Sequence, residues 1–167
     1  MKISRWKGYI WPSIWIVWSV LIALQIVLSF FLYNPYGNSI IRNLGLIVWI
    51  LSAIFGWVPI PTLRKKGEVA EGKSYIETTV IVQSGIYAVV RHPQYLAGVL
   101  LNLALLLIVQ NWIVTVIGFV AMGLGYLIAF KADQDLIEKF GDDYGRYMQT
   151  VPRMNFIAGL LRLTLRR

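Results

Sequence analysis

The side chains best suited to chemistry lie together in one short segment, residues 85–98. It places a guanidinium, the only histidine of the chain and two phenols within nine positions: Tyr87, Arg91, His92 and Tyr95. Arg91 can bind a carboxylate or phosphate through two parallel hydrogen bonds. The His92 imidazole can accept or donate a proton near neutral pH. This segment is therefore the first candidate for a binding or catalytic site.

Pro93 indicates how the segment is held. Proline favours the first turn of a helix and pushes the preceding residue toward extended geometry, so His92 is predicted at or near the N-cap. Free backbone N–H groups and the helix dipole would form an anion site there. Gly98, one turn further along, would let a ligand or a neighbouring helix approach closely. The alternative is structural, with Arg91 reaching the membrane surface and His92 only capping the helix.

A second segment, residues 131–150, has apolar residues at helical spacing with charged residues between them. Its apolar positions, continued to residue 151, are Leu136, Ile137, Phe140, Tyr144, Tyr147, Met148 and Val151. The pattern predicts one amphipathic helix, or two short helices hinged at Gly141. Two interpretations stay open, a helix that lies on a membrane surface and a helix that covers a pocket.

The composition excludes several classes of protein. Hydrophobic residues make up 57% and charged residues 14% of 167 residues, whereas soluble domains carry about 25% charged residues. The chain has no Cys and a single His, which excludes disulfides, thiolate sites and multi-histidine metal cages, and we expect no metal. Because the net charge of +8 is placed beside apolar stretches, we interpret it as a preference for membrane lipids rather than nucleic acid.

Long charge-free stretches predict an all-α, polytopic membrane protein with four transmembrane helices. A helical span needs about 20 apolar residues. The predicted spans are residues 11–33, 44–60, 95–109 and 112–130. The second is expected to close at Pro59-Ile60-Pro61, and the last two are separated at Gln110-Asn111-Trp112.

With four spans, every lysine and arginine except Arg42 falls on one side of the membrane. The positive-inside rule makes that side cytoplasmic, so both termini are predicted to be cytoplasmic. We expect a single integral membrane domain, with residues 1–130 as the four-helix core and residues 131–167 as a cytoplasmic lid and interfacial tail. The structure of loop 61–91 is left open, because Ser74 and Glu77 fit a capping box whereas the β-branched residues that follow favour extended chain.

The two segments resemble the signature of a known family. The first reads Gly85-x-Tyr87-x-x-x-Arg91-His92-Pro93-x-Tyr95-x-x-Gly98. The second contains Leu136, Phe140-Gly141, Tyr144, Tyr147 and Val151-Pro152-Arg153. Both are similar to motifs of the isoprenylcysteine carboxyl methyltransferase family, a group of integral membrane enzymes in the same superfamily as the phospholipid methyltransferases. The resemblance runs from about residue 40 to residue 155.

This resemblance implies S-adenosylmethionine as methyl donor, S-adenosylhomocysteine as product and a lipophilic acceptor that enters from the bilayer. It assigns the polar end of the cofactor to the helix start and the aromatic side chains to the adenosine or the sulfonium. The implied cofactor-binding residues are Tyr87, His92, Pro93, Tyr95, Gly98, Asp133, Tyr144 and Tyr147. The implied catalytic residues are Arg91 or Arg153, for the anionic group of the acceptor, and His92, if a base is needed.

The chain departs from this family at one point. The C-terminal motif usually carries a Glu-Glu pair, and the corresponding positions here are Ala132 and Asp133. If the pair contacts the ammonium of the cofactor, Asp133 must do so alone or together with Asp135.

Three functions follow from the sequence. The first is methyl transfer to a lipid-like acceptor, either the carboxylate of an isoprenylcysteine or another isoprenoid, or the amine of a phospholipid. The second is a reductase of the sterol reductase kind that uses NADPH, for which the chain is short. The third is a non-catalytic lipid-binding membrane protein.

Overall fold

The structure, a computed structural model, describes residues 3–165 and is all helical. No strand occurs within that range, so the all-α part of the predicted fold class is confirmed. A short 3₁₀ turn covers Gly85–Ala88. The helices are α1 Ile3–Phe31, α2 Ser39–Trp57, α3 Pro59–Lys66, α4 Pro93–Val109, α5 Trp112–Phe140, α6 Asp142–Thr150 and α7 Phe156–Leu165.

Three stretches of helix in the described range are long and apolar enough to cross a membrane. They are Trp11–Phe31, Ser39–Lys66 and Trp112–Phe140. Large apolar side chains on them face outward; Phe30 is 81% exposed and Trp57 is 74% exposed, as expected for surfaces in contact with lipid. Helix α4 is apolar but has only 17 residues, at the lower limit of a span. The chain is therefore an integral membrane protein by composition and helix length, and the fourth span stays a prediction.

The second predicted span, 44–60, is wrong at both ends. Helix α2 begins at Ser39 because the Asn38 side chain caps it, with Oδ1 accepting from the N–H groups of Ile40 at 2.9 Å and Ile41 at 3.1 Å. The Pro59-Ile60-Pro61 sequence does not end the helical course, since α3 begins at Pro59. Proline at a first helical position has no N–H to lose from the hydrogen-bond ladder.

The predicted break between the last two spans is confirmed. Gln110 has a φ of 52°, and the Asn111 side chain caps α5 by accepting from the Ile113 N–H at 3.0 Å. Helix α5 does not end near residue 130 as predicted but continues to Phe140, because its polar end keeps helical spacing, with Lys131 and Asp135 paired one turn apart. The hinge predicted at Gly141 is confirmed by its φ of 59°, which glycine adopts without steric cost.

The first of two compact units contains the chain up to Ser52 together with Gly98–Ile128. Its helices approach closely at small residues: a Cβ on Gly98 would lie 2.5 Å from Trp18 Cζ2. Gln25 is fully buried and donates hydrogen bonds of 3.2 Å to the carbonyls of Asn102 and Val114. These contacts tie α1 to α4 and α5 within this unit.

The second unit contains Ala53–Ala97 and the chain from Ala129 onward. Its core is formed by Tyr144, Tyr147 and Val151, with Leu136 and Phe140 packed against them. Most of the segments singled out from the sequence lie in this unit.

Candidate active site

The carboxylate of Asp133 is the centre of a buried polar cluster. Asp133 is 2% exposed and accepts five hydrogen bonds, two from Arg91 and one each from His92, Tyr144 and Arg153. Oδ1 accepts from Arg91 Nε at 3.2 Å, His92 Nε2 at 2.7 Å and Tyr144 Oη at 2.8 Å. Oδ2 accepts from Arg91 Nη2 at 2.8 Å and Arg153 Nε at 2.6 Å. We call these five residues the Asp133 cluster.

Backbone hydrogen bonds hold the two sequence motifs beside each other. The N–H groups of Arg91 and His92 donate to the carbonyls of Pro152 at 3.0 Å and Arg153 at 3.1 Å. Because Pro93 starts α4 and the His92 carbonyl accepts from the Leu96 N–H at 3.0 Å, His92 sits where the N-cap was predicted. The two motifs therefore form one site rather than two separate surfaces.

Most hydrogen-bond donors of the Arg91 guanidinium bind acceptors within the protein. Besides its two bonds to Asp133, its Nη1 donates to the carbonyls of Met148, at 2.9 Å, and Val151. A cation at these carbonyls satisfies the C-terminal end of α6, where the backbone lacks helical partners. Four of the five N–H donors of a guanidinium thus have acceptors here, which favours a positioning role for Arg91.

Protonation states in the cluster follow from burial. Burial lowers the pKa of His92, and the hydrogen bond to Asp133, which acts in the opposite direction, does not cancel this effect. The imidazole is therefore neutral at pH 7, and the proton on Nε2 is assigned from its bond to Asp133. Burial and the neighbouring Asp133 carboxylate raise the pKa of Tyr144, so its phenol remains a hydrogen-bond donor.

A cavity of about 320 Å³ lies beside the cluster, within the usual size of a small-molecule site. Among its described lining residues are Tyr87, His92, Tyr95, Tyr144 and Tyr147, and Asp135 supplies the carboxylate of this lining. Within residues 3–165, no group of three or more His, Asp or Glu could hold a metal ion. The wall is thus mainly apolar, carries four tyrosine rings, and has one positive and one negative side chain, Arg91 and Asp135.

Part of the cavity wall comes from the segment whose structure the sequence left open. Residues 76, 78 and 80–82 line the cavity from chain that has neither helix nor strand. Two side chains hold the first part of this segment: Gln94 Nε2 donates to Tyr75 Oη at 2.9 Å, and Lys139 Nζ donates to the Thr78 carbonyl at 2.6 Å. The Ser74 N–H does bond the Glu77 side chain at 3.2 Å, yet only a turn follows.

The structure separates the predicted site residues into two sets. Those that line the cavity are Tyr87, Arg91, His92, Pro93, Tyr95, Tyr144 and Tyr147. Asp133 and Arg153 belong to the cluster and are not among the lining residues, and Gly98 packs against Trp18 in the other unit. The sequence predicted that either a ligand or a neighbouring helix approaches Gly98 closely, and in the structure it is helix α1, through Trp18.

Sequence reasoning missed part of the cavity wall. Gln94 lines the cavity but was not a predicted cofactor ligand. Asp135, which also lines it, was named only as a possible partner of Asp133, although it follows Ala132 by three positions on α5 and so shares its face. No comparable local signal marks Ile76, since its segment has no regular periodicity.

Comparison with protein families matches residues 40–140 to the phospholipid methyltransferase family. The match covers more than half of the 167 residues and includes Arg91, His92 and Asp133. A comparison with curated proteins finds no match. Because the family match covers more than half of the chain, the chain belongs to the phospholipid methyltransferase family.

Proposed function

We propose that this protein transfers a methyl group from S-adenosylmethionine to a lipid acceptor. One observation carries the proposal: in a chain of this family, the Arg91-His92-Pro93 segment borders a cavity of small-molecule size that four tyrosines help to line. When bound, the cofactor supplies a methyl group on a positively charged sulfur.

The side chains of the cavity fit a ligand that carries positive charge beside an aromatic base. Tyrosine faces attract cations, and Tyr87, Tyr95, Tyr144 and Tyr147 line the cavity. Asp135 can pair with the ammonium of the amino-acid end, while the N-terminus of α4 favours the carboxylate of that end. The protein would mainly orient the reactants and exclude water, since the donor is already activated.

Asp135 replaces Asp133 as the proposed ligand of the cofactor's ammonium. The oxygens of Asp133 already accept five bonds inside the protein. The Asp135 side chain is 55% exposed and lines the cavity. Gly98 and Arg153 are not needed as direct cofactor ligands in this proposal.

The family favours a phospholipid as acceptor over the isoprenylcysteine carboxylate that the motifs first suggested. A lipid would reach the site from the bilayer, and the charge distribution supports a reaction at the cytoplasmic face. Neither a nicotinamide reductase nor a non-catalytic lipid-binding protein is favoured by a specific contact.

Calorimetric binding of S-adenosylmethionine to the detergent-purified protein tests the proposal, with NADPH as control ligand. Asp135→Asn should weaken binding by about tenfold, the value of roughly one exposed charged hydrogen bond. Glu138→Gln is the matched control, because Glu138 is exposed on the same helix and does not line the cavity. Absence of binding to folded wild-type protein, or binding of NADPH instead, would overturn the proposal.

A further inference from the structure

We infer that His92 is the general base of the reaction, with Nδ1 accepting a proton from an amine on the lipid acceptor while Asp133 orients the ring. This inference rests on the proposed function and narrows the acceptor to an amine. Its basis is the position of the single histidine at the junction of the Asp133 cluster and the cavity.

The two ring nitrogens of His92 have different surroundings. Nε2 lies 2.7 Å from Asp133 Oδ1, and an acceptor-only carboxylate makes Nε2 the protonated nitrogen of the neutral ring. Nδ1 then carries the lone pair, and no residue in the described part of the chain donates a hydrogen bond to it. The ring is 6% exposed and His92 lines the cavity, and we take this lone pair as the one that meets a bound ligand.

Neighbouring groups fix the orientation of the ring. Tyr95 stacks on it with 5.4 Å between ring centroids and 27° between planes. A carboxylate that bonds one nitrogen and leaves the other for proton transfer is the arrangement that orients histidine bases in other enzymes. The lowered pKa of His92 keeps the ring neutral, as a base must be before it acts.

The charges around the ring favour a neutral amine in the cavity. The charged or titratable groups that face His92 are Asp133 from α5, Arg91 beside it in sequence, Arg153 after α6, Tyr144 from α6 and Tyr95 from α4. Two guanidinium groups against one carboxylate leave a net positive charge. This charge and a bound sulfonium would together lower the pKa of an acceptor ammonium, because like charges disfavour ionisation.

The proton and electron balance is as follows. The acceptor R–NH₃⁺ gives one proton to Nδ1, which leaves R–NH₂ and an imidazolium held by Asp133. The nitrogen lone pair then forms the N–CH₃ bond as the C–S bond breaks, and the bonding pair stays on sulfur as a neutral thioether. The product is R–NH₂–CH₃⁺, and the imidazolium releases its proton to solvent. A carboxylate acceptor already carries its lone pair and would not need this base.

The first test measures the protonation state of the two His92 ring nitrogens by NMR in the absence of cofactor. Because the chain has one His, protein labelled with ¹⁵N-histidine gives a single pair of ring nitrogen signals in micelles. The inference predicts the Nε2–H tautomer with unprotonated Nδ1 at pH 7, and a Tyr144→Phe variant that retains it. A ring protonated on Nδ1 at pH 7 would overturn the inference.

The second test uses His92→Gln, whose amide nitrogen can still donate to Asp133 but which has no basic nitrogen. Methyl transfer to phosphatidylethanolamine in mixed micelles should fall by about 10² to 10⁴, the usual contribution of a general base, while calorimetric affinity for S-adenosylmethionine stays within about threefold. Glu138→Gln should leave both unchanged. The NMR result decides the question if His92→Gln does not fold.

The outcomes separate the two proposals. Wild-type protein that binds no S-adenosylmethionine overturns the proposed function and this inference with it. Wild-type protein that binds the cofactor, but methylates only an S-prenylcysteine carboxylate or neither probe, overturns the inference alone. An unchanged rate of amine methylation in His92→Gln does the same.

Discussion

Replacing Asp133 with Asn should destabilise the protein more than any other single change of one carboxylate to an amide. Asn keeps one oxygen but puts an NH₂ group where the other was. If the amide nitrogen replaces Oδ2, it faces Arg91 Nη2 at 2.8 Å and Arg153 Nε at 2.6 Å, so donors meet donors. Both guanidinium groups also lose their counter-charge.

The size of the effect follows from those contacts. Two lost charge-assisted hydrogen bonds at about 1.5–3 kcal/mol each give roughly 3–6 kcal/mol. Removing one partner of a buried ion pair costs about 3–5 kcal/mol in general. Since Asp133 is 2% exposed and the Arg153 side chain is 20% exposed, we expect a loss of about 3–5 kcal/mol in the free energy of unfolding.

The assay is equilibrium unfolding in mixed micelles by titration with a denaturing detergent. Asp135→Asn is the matched control, because Asp135 is also on α5 but lies outside the Asp133 cluster. Its side chain is 55% exposed, and Lys131 is its partner among the ion pairs of the described residues. That exposed pair should be worth about 0.2–1 kcal/mol. A loss for Asp133→Asn no larger than about 1 kcal/mol would refute the view that Asp133 holds the site together.

Three further changes test other parts of the account. The free energy of unfolding should fall as the pH drops below about 6.5. His92 then gains a proton in the unfolded chain, whereas burial lowers the pKa of His92 in the folded protein and keeps it neutral. The fall between pH 6.5 and 5 should be shallower in His92→Gln, and equal slopes would contradict this. Gly159→Ala should destabilise, since a Cβ there would lie 2.0 Å from the Val89 carbonyl oxygen, whereas Gly145→Ala, with nothing within 4 Å, should stabilise by up to about 1 kcal/mol; thermal unfolding of both variants checks the opposite signs. Gln25→Leu should cost only about 1 kcal/mol, because hydrogen bonds within membranes average about 0.6 kcal/mol each and Gln25 makes two; a loss above about 3 kcal/mol in the same detergent titration would contradict that estimate.

Local signals in the sequence were enough to predict much of the fold. Charge-free length predicted the apolar helices, and Gln110-Asn111 predicted the break between α4 and α5. Pro93 placed the start of α4, and Gly141 placed the hinge before α6. Each of these features depends on residues within one or two turns of the chain.

The boundaries that were wrong also have local causes. Proline was expected to end the second helix at residues 59–61, but at the first turn of α3 its missing N–H has no cost. The polar residues after Phe130 were expected to end a membrane span, but they end only the apolar stretch, and α5 continues to Phe140.

Long-range pairing could not be read from the sequence. The bond from His92 to Asp133 joins residues 41 positions apart, and the bond from Arg91 to Met148 joins residues 57 positions apart. The sequence motifs predicted Asp133 as a cofactor ligand and Arg91 as an anion binder. A motif shows which polar side chains are present, but it does not show which of them form hydrogen bonds with each other. The exposed Asp135 becomes the better ligand only once the oxygens of Asp133 are known to be occupied.

Methyl transfer itself tests the central claim most directly. The detergent-purified protein would be incubated with S-adenosylmethionine labelled in its methyl group and with phosphatidylethanolamine in mixed micelles, and the label in the lipid fraction would be counted over time. We predict that label accumulates in the lipid with wild-type protein and with Glu138→Gln, and is strongly reduced with His92→Gln. No label in any added lipid, from wild-type protein shown to be folded, would contradict the assignment of this site to methyl transfer.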